Sequence, residues 1–88
     1  MIKILRAQAM ANHVLRLEFS DGSTGDYDLT ELIKRDTEMV RPLADPKFFA
    51  DFFLELGALC WRNGFELSAA SLHRKLAERG GLRRANAA

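Results

Sequence analysis

The chain has 88 residues, 48% of them apolar and 28% charged, which is the balance of one ordinary globular domain rather than of a disordered or fibrous chain. Thirteen Lys and Arg residues against twelve Asp and Glu residues give a net charge of +1, so the overall field does not favour nucleic acid or acidic substrates. A chain of this length buries only about 60 to 65% of its unfolded surface, so a partner subunit would add useful apolar burial.

The composition also indicates the compartment. The single cysteine, Cys60, excludes an internal disulfide framework and a multi-cysteine zinc site, and it fits a reducing environment. Lys3 and Arg6 interrupt the apolar residues at the start of the sequence, so we expect no signal peptide there. The most apolar stretch, residues 48–61, contains two acidic residues and is shorter than the roughly 20 residues of a spanning helix. We expect a cytoplasmic protein without membrane contact.

Residues 2–29 predict three antiparallel strands. Residues 2–10 are extended in character, and apolar residues alternate with polar ones through 13–20 and again through 24–29. A period of two is typical of strands with one buried face. Between the second and third strands, Gly22 can adopt positive φ in a turn.

The same alternation predicts the register of this hairpin. A two-residue Asp21-Gly22 loop would set Leu17 opposite Asp26 and place an apolar face against a polar one. We therefore predict a longer loop or a bulge, in which one added residue pairs Leu17 with Tyr27. That register also pairs Arg16 with Asp28 and Glu18 with Asp26.

Capping signals mark the first of three helices, near residues 30–36. Asp28 followed three residues later by Glu31 resembles a capping box, and Thr30 is a competing cap for the same helix.

Two further helices follow, near residues 46–53 and 69–79. Asp45 as N-cap and Pro46 at the first helical position begin the earlier one, which carries four phenylalanines at helical spacing. Ser68 caps the later one, which has an apolar face and ends at a glycine pair.

Between these helices, residues 54–67 predict two strands around Gly57, with Asn63-Gly64 as a tight turn. Trp61 is the largest apolar side chain of this segment, and we predict that it is largely buried.

Together these elements predict an α+β fold. We expect a small twisted antiparallel sheet with helices packed on one face, in the approximate order β-β-β-α-α-β-β-α. Residues 1–80 form a single domain in this prediction. Residues 81–88 are basic and lack periodicity, so we expect a mobile tail.

Two stretches carry a family likeness: VLRLEFSDGSTGDYDLTELI, and RPLADPKFFADFFLELGALCWRNGFELSAASLHRKL. They resemble the bacterial domain of unknown function 2442 family over nearly the whole chain. Arg62 and Glu66 depart from the family pattern, which usually has a proline and an aspartate there. The structural signature consists of Asp21, Gly22, Asp28, Pro46, Phe49, Trp61, Asn63 and Gly64.

The resemblance implies a fold but little chemistry. It implies a small antiparallel sheet with one or more packed helices, and the family has no established activity. Some relatives look like parts of two-gene modules resembling toxin and antitoxin pairs, and some are joined to a helix-turn-helix segment. The resemblance therefore favours regulation by contact.

Cys60 is a candidate nucleophile, with His73 as its base. Catalysis would require a lowered thiol pKa and a base within hydrogen-bond reach, and no local catalytic signature surrounds the cysteine. Its apolar neighbours Leu59 and Trp61 favour an inert, packed cysteine instead. We predict no enzymatic activity.

Metal binding is a second candidate, through His13 and His73 or through Asp26 and Asp28 on one strand face. Two histidines without a third ligand make a weak site, and the aspartates alternate with apolar residues as a solvated face does. We therefore expect neither a metal nor another cofactor.

One concentration of positive charge could contact phosphate or an acidic partner. No aromatic platform interleaves these charges, and cations near a helix C-terminus are also favoured by the helix dipole. The candidate contact residues are Arg74, Lys75, Arg79, Arg83 and Arg84.

The sequence therefore predicts a non-catalytic binding or regulatory module. A small open sheet leaves two strand edges, and strand addition there would build a homodimer or receive a protein partner. The candidate edges are the N-terminal strand and the outermost strand of residues 54–67. The alternative is nucleic-acid binding or a transcription-regulatory accessory role through the basic C-terminal helix, which we expect less.

Overall fold

The computed structural model describes residues 1–84, which form seven short strands and three α-helices. The strands are β1 (Ile4–Ala9), β2 (Val14–Phe19), β3 (Ser23–Asp28), β4 (Phe53–Glu55), β5 (Ala58–Cys60), β6 (Glu66–Leu67) and β7 (Arg83–Arg84). The helices are α1 (Thr30–Lys34), α2 (Pro46–Ala50) and α3 (Ala69–Glu78), and 3-10 turns occupy Ala11–His13 and Arg41–Ala44. This architecture confirms the predicted α+β class with antiparallel pairing.

Strands β1, β2, β3 and β7 form one antiparallel sheet in that spatial order. Its first three strands are those that the sequence predicts. Leu15, Leu17 and Phe19 are completely buried on the inner face, and the residues between them belong to the outer face because side chains alternate along a strand.

The β2–β3 hairpin has a three-residue loop, Ser20 to Gly22. The Gly22 N–H donates to the Phe19 carbonyl at 3.0 Å, and Gly22 has a φ of 87°, as in a type I turn followed by a bulge. The prediction of a loop longer than two residues is confirmed. The predicted partner is wrong, because Leu15 rather than Leu17 pairs with Tyr27.

The observed register differs from the predicted one by two residues, so Leu17 pairs with Gly25, Arg16 with Asp26 and Glu18 with Thr24. A shift of two keeps every side chain on its face, so the hydrophobic pattern cannot distinguish the two registers. The turn distinguishes them, because a three-residue loop of this type needs positive φ at its last residue, which is Gly22 in the observed register and would be Ser23 in the predicted one. A Cβ at Gly25 would lie 2.9 Å from Leu76 Cδ1, so the helix packs directly on this glycine.

Strands β4, β5 and β6 form a second, three-stranded sheet. The loop between β4 and β5, Leu56-Gly57, has positive φ at both residues, as in a type I′ hairpin. The Ile4 N–H donates to the Gly57 carbonyl at 2.9 Å and connects the two sheets. Relative to the predicted order, the structure adds β6 and β7 and divides the strands between two sheets.

Two of the three predicted N-caps form. Asp45 and Ser68 accept hydrogen bonds from the N–H groups of Lys47 and Ser71, each at 3.1 Å. Helix α2 nevertheless ends at Ala50, well before the predicted 53, because the chain turns there and enters β4.

The capping-box interpretation of α1 is wrong. Leu29 occupies the N-cap position, and Asp28 accepts a hydrogen bond from the Thr30 N–H at 2.8 Å. Glu31 lies 3.7 Å from Lys34 rather than reaching back to the cap. The helix is a single short turn that ends at Lys34, two residues before the predicted end.

The core lies between the first sheet, α3 and the second sheet. Trp61 is only 1% exposed, which confirms its predicted burial, and its Nε1–H donates to the Phe49 carbonyl at 3.0 Å. The other members are apolar residues from nearly every element: Ile4, Leu15, Leu17, Phe19, Tyr27, Leu29, Leu43, Phe49, Leu59, Ala69, Leu72 and Leu76.

The predicted tail, residues 81–88, is described only in part. Arg83 and Arg84 form β7 and pair with Thr24 and Ser23 of β3. Residues 85–88 lie outside the described residues, and the mobility of the tail stays a prediction.

Candidate functional site

Two turns that contain signature residues share the same pattern of side-chain to backbone hydrogen bonds. Asp21 Oδ1 accepts a hydrogen bond from the Ser23 N–H at 3.0 Å, and Asn63 Oδ1 accepts one from the Phe65 N–H at 3.2 Å. In both turns the following glycine has positive φ and donates its N–H to the carbonyl three residues earlier. The Asp-Gly and Asn-Gly pairs therefore shape the two hairpins.

Each turn is also tethered to a distant segment. Asn63 Nδ2 donates to the Met39 carbonyl at 2.9 Å. Asp21 Oδ2 lies 2.9 Å from His73 Nε2 on α3 and 3.2 Å from Arg84 Nη1 on β7. We call Asp21, Ser23, His73 and Arg84 the Asp21 cluster.

Hydrogen bonds set the electrostatics of the Asp21 cluster. The Ser23 hydroxyl donates to Asp21 Oδ1 at 2.6 Å. This bond and the one from the Ser23 N–H hold the pKa of Asp21 well below its usual range, and His73 adds to the effect. The carboxylate is therefore ionised at neutral pH and joins the β2–β3 turn to α3 and β7.

The Asp21 cluster contains the residue types of a nucleophilic triad in a different arrangement. In a triad the serine hydroxyl contacts the histidine, whereas here the Ser23 hydroxyl contacts the carboxylate. Ser23 is also completely buried. In this geometry the Asp21 cluster holds the β2–β3 turn, α3 and β7 together and is not arranged for nucleophilic catalysis.

Sequence reasoning recognised Asp21 as a signature residue but missed this cluster. His73 follows Asp21 by 52 residues and Arg84 by 63, so no local pattern connects them.

The structure does not bring the five basic candidates together in one patch. Arg79 lies over the Tyr27 ring at 4.9 Å, and Arg84 is bound to Asp21. Arg83 pairs with Thr24 in the sheet, where it helps to lower the pKa of Asp26, after the larger effect of Arg16. Exposed positions on α3 hold the remaining two, Arg74 and Lys75.

A cleft of about 320 Å³ lies beside Lys75 and Arg79. Its charged lining combines cations with carboxylates, so its charge does not select for phosphate. The charged residues that line it are Asp28, Glu31, Arg35, Lys75, Glu78 and Arg79.

The Cys60 thiol is packed rather than activated. Burial raises its pKa, and the carboxylates of Glu66 and Glu55 add to the shift. The Sγ atom lies 3.8 Å from the Ala58 carbonyl and 3.9 Å from Glu66 Oε2. His73, the expected base, contacts Asp21 instead. A protonated thiol without a histidine contact is a poor nucleophile.

The other candidate ligands have structural contacts. Asp26 forms two bonds with the Arg16 guanidinium, at 2.8 and 3.0 Å. His13 packs edge-on against Phe49, with ring centroids 4.9 Å apart. Among residues 1–84, no group of three or more His, Cys, Asp or Glu side chains is arranged to hold a metal ion.

The outer side of β1 is an open strand edge. The Met10 N–H donates to the Val14 carbonyl, and the register of β1 with β2 continues through Gln8 with Arg16 and Arg6 with Glu18. Hydrogen-bonded pairs alternate in antiparallel strands, so the N–H and C=O groups of Ala7 and Ala9 point away from β2. No other strand within residues 1–84 pairs with them.

Exposed apolar side chains surround this edge. Leu5 is 55% exposed beside a bulge in β1, Phe53 is 42% exposed in β4, and Leu56 is 91% exposed. The segments are adjacent, because Gly57 contacts Lys3 and binds the Ile4 N–H. Edge and side chains together form a surface that we call the β1 edge surface: residues 5–9, Phe53 and Leu56.

None of the helices within residues 1–84 has the length and apolar character needed to cross a membrane. The fold and its contacts define a small α+β domain whose signature positions hold turns and a core.

A family model described as a protein of unknown function (DUF2442) matches residues 4–78. The chain belongs to this family, which confirms the resemblance seen in its sequence. Neither a curated protein nor a solved structure matches the chain.

Proposed function

We propose that this protein is a non-catalytic binding module that acts in the cytoplasm through contact with another protein chain. The observation that carries the proposal is the open edge of β1, where backbone groups of Ala7 and Ala9 lack a strand partner among the described residues. Exposed backbone donors and acceptors in a row are a template for another strand.

The side chains around the edge support the same contact. Alanines at positions 7 and 9 present little bulk to an approaching strand. Leu5 and Leu56 offer apolar area that solvent now covers. Backbone hydrogen bonds would supply affinity, and these side chains would supply specificity.

The proposal extends to a regulatory role. Relatives that resemble members of two-gene toxin and antitoxin-like pairs make the product of an adjacent gene the first partner to test. Control of such a partner requires only that the contact cover or release a surface, and it needs no reaction by this chain.

Co-purification with the adjacent gene product tests this proposal. The wild-type chain, Ala7→Pro and Leu5→Lys are compared with Met39→Lys, which changes an exposed apolar residue outside the β1 edge surface. We expect both edge variants to lose the complex and Met39→Lys to keep it. Equal recovery with all four chains would contradict strand addition at β1.

Nucleic-acid binding is the competing function. Arg74 and Lys75 are exposed neighbours on α3 and are its best remaining contacts, since Arg79 and Arg84 are engaged within the chain. The measurement is DNA and RNA binding at several salt concentrations, with the double variant Arg74→Ala and Lys75→Ala. Strong salt-dependent binding that this variant abolishes would replace the protein-contact proposal.

A further inference from the structure

We propose that the strand received at the β1 edge belongs to a partner protein and carries an acidic side chain beside Arg6 and a bulky apolar side chain beside Ala9. Arg6 pairs with Glu18 on the outer face of the sheet, whereas Ala9 pairs with the buried Leu15 on the inner face. The inference rests on the proposed function, since it uses the same edge, and it specifies the chemistry of the partner segment.

The free part of the edge is short. The pairing of β1 with β2 shifts between Ile4 and Arg6, and the Gly57 carbonyl accepts the Ile4 N–H, so the start of β1 is not free. Outward N–H and C=O groups remain at Ala7 and Ala9. Water competes for such groups, so their net contribution to binding is small, and side chains must supply much of the affinity and specificity.

On the outer face, Arg6 is available for a carboxylate. Its side chain is 85% exposed, and its ion pair with Glu18 is loose, with 3.7 Å between Nε and Oε1. The neighbouring Arg16 differs, because Asp26 accepts two hydrogen bonds from its guanidinium. Of these two arginines, Arg6 is therefore the one that an added strand can engage.

An added strand would bring a side chain close to Arg6. Residues directly opposite each other in paired strands share one face and have Cβ atoms about 4.5 to 5.5 Å apart. Glu18 lies on the other side of β1, so a partner residue across from Arg6 is one strand further from this glutamate. An acidic residue at that position gains an opposite-charge pair, and a basic residue is repelled.

On the inner face, a pocket of about 310 Å³ lies beside the end of β1. Ala9 and residues 10–13 line it from one side, and Pro46, Phe49 and Ala50 of α2 line it from the other. None of the described residues that line it is a lysine, arginine, aspartate or glutamate. The pocket therefore suits an apolar side chain.

The position of Ala9 connects this pocket to the added strand. A partner residue across from Ala9 would project on the inner face, next to the pocket. The alanine methyl group is too short to fill the space, so a valine, isoleucine, leucine or methionine of the partner would enter it and leave water.

The two positions define a sequence pattern. Pairs within the described sheet are antiparallel, and an added strand in the same sense meets Ala9 first and Arg6 three residues later. The partner segment is thus a bulky apolar residue followed, three residues on, by aspartate or glutamate. Strand β1 itself contains no acidic residue, so a second copy of β1 does not meet this requirement.

Selection from a phage-displayed library of random twelve-residue peptides on the immobilised full chain tests the pattern. We expect enriched peptides to contain it, and synthetic copies to bind wild type and Met39→Lys equally. Ala7→Pro should abolish binding, because it removes an outward N–H and leaves the bonds to β2 in place. Circular dichroism melts show whether this variant folds, and the side-chain variants below provide the test if it does not.

Two exposed positions separate the charge requirement from the apolar one. Arg6→Glu should weaken binding of the selected acidic peptides by roughly three- to tenfold and favour copies with lysine at the acidic position. Arg74→Glu, an equal charge change on α3, is the control and should alter neither. Ala50→Phe should fill the pocket and weaken binding of peptides with a bulky apolar residue, while copies with alanine there bind unchanged.

Several results would overturn the inference: no peptide enriched above the Ala7→Pro background, enrichment without the acidic residue, or preferences that Arg6→Glu and Ala50→Phe leave unchanged. Dimerisation of the wild type that Ala7→Pro abolishes, with no peptide enriched, would assign the edge to a second copy instead.

The proposed function is tested separately. If edge variants lose the adjacent gene product but no side-chain preference is found, contact at β1 holds and only the partner chemistry fails. If the preferences are found but edge variants keep that gene product, the inference holds and the adjacent gene product is not the partner of this edge.

Discussion

The two edges of the four-stranded sheet differ in length, charge and attachment. The β7 edge is two residues long, both residues are arginines, and Arg84 is bound to Asp21. Strand β1 is six residues long, only its Ile4 N–H is bonded to the second sheet, and it has alanine at positions 7 and 9. Natural sheets blunt edges that must not pair with short strands and charged side chains. By that rule the β7 edge is protected, and the β1 edge is available.

The difference between the two edges predicts that one edge contributes to the stability of the fold and the other to association with a partner. Contacts at the β7 edge, made by the Asp21 cluster, join elements within one chain and should affect stability. At the β1 edge, the outward backbone groups of Ala7 and Ala9 have no strand partner among the described residues, so substitutions there should affect association. Substitutions at the two edges should therefore have different measurable effects.

The largest effect should come from the core that supports both edges. Trp61→Ala removes a completely packed side chain and its hydrogen bond to Phe49, and we expect it to lower the free energy of unfolding by about 3 to 5 kcal/mol. Urea denaturation measures the change. Phe53→Ala, at a half-exposed aromatic, is the control and should cost far less. A nearly unchanged transition for Trp61→Ala would show that the tryptophan does not hold the core.

A smaller effect should be confined to the β7 edge. Asp21→Ala leaves the buried Ser23 hydroxyl without its acceptor and detaches His73 and Arg84, so we expect a loss of about 1 to 3 kcal/mol. Amide hydrogen exchange should accelerate first in β3 and β7, with association unchanged. Asp26→Ala, which removes only an exposed ion pair, should cost about 1 kcal/mol or less. Equal losses from both variants would exclude a special role for the Asp21 cluster.

The same cluster predicts a dependence on pH. Folding lowers the pKa of Asp21, so its contribution to stability is present above the unfolded pKa, near 3.9, and is lost as the pH falls through the lower folded pKa. The difference in stability between wild type and Asp21→Asn should thus be largest at neutral pH and should shrink in strong acid. Chemical denaturation from pH 7 to pH 2 measures it, and a constant difference would contradict the assignment.

The smallest expected change comes from Leu56→Asn, which should stabilise the folded chain and at the same time weaken its association. Leu56→Asn places a residue that tolerates left-handed φ at the β4–β5 turn, so we expect the isolated chain to gain about 1 kcal/mol in stability. Removing the exposed leucine should at the same time weaken association through the β1 edge. Thermal melts and sedimentation measure the two changes. A gain in stability with unchanged association would show that Leu56 takes no part in the contact.

The sequence predicted secondary structure correctly where residues close together in the chain determine it. The alternation of Leu15, Leu17 and Phe19 predicted a half-buried strand, and Ser68 and Asp45 predicted two helix starts. These features depend on backbone geometry within a few residues. The burial of Trp61 was predictable as well, because a small chain has few other ways to fill its core.

The predictions were wrong where the hydrophobic pattern of the sequence fitted two different structures equally well. Leu17 opposite Tyr27 and Leu15 opposite Tyr27 keep the same faces buried, and the second places Gly22 rather than Ser23 at the loop position that has positive φ. The end of α2 was missed for a related reason. Closely spaced phenylalanines fit a helix as well as a strand, and the pairing of Phe53 with Cys60 makes the choice.

By itself, then, the sequence determined the α+β class, the hairpin turns at Asp21-Gly22 and Asn63-Gly64, and the apolar residues that form the core, because backbone preferences and hydrophobic periods act locally. Only the tertiary structure decided the Asp21 cluster, the division into two sheets and the free edge of β1. Each of these depends on which distant segments meet: His73 and Arg84 reach Asp21 across more than 50 residues, and the Gly57 carbonyl reaches Ile4. Such contacts follow from packing the whole chain, so no single stretch of sequence contains them.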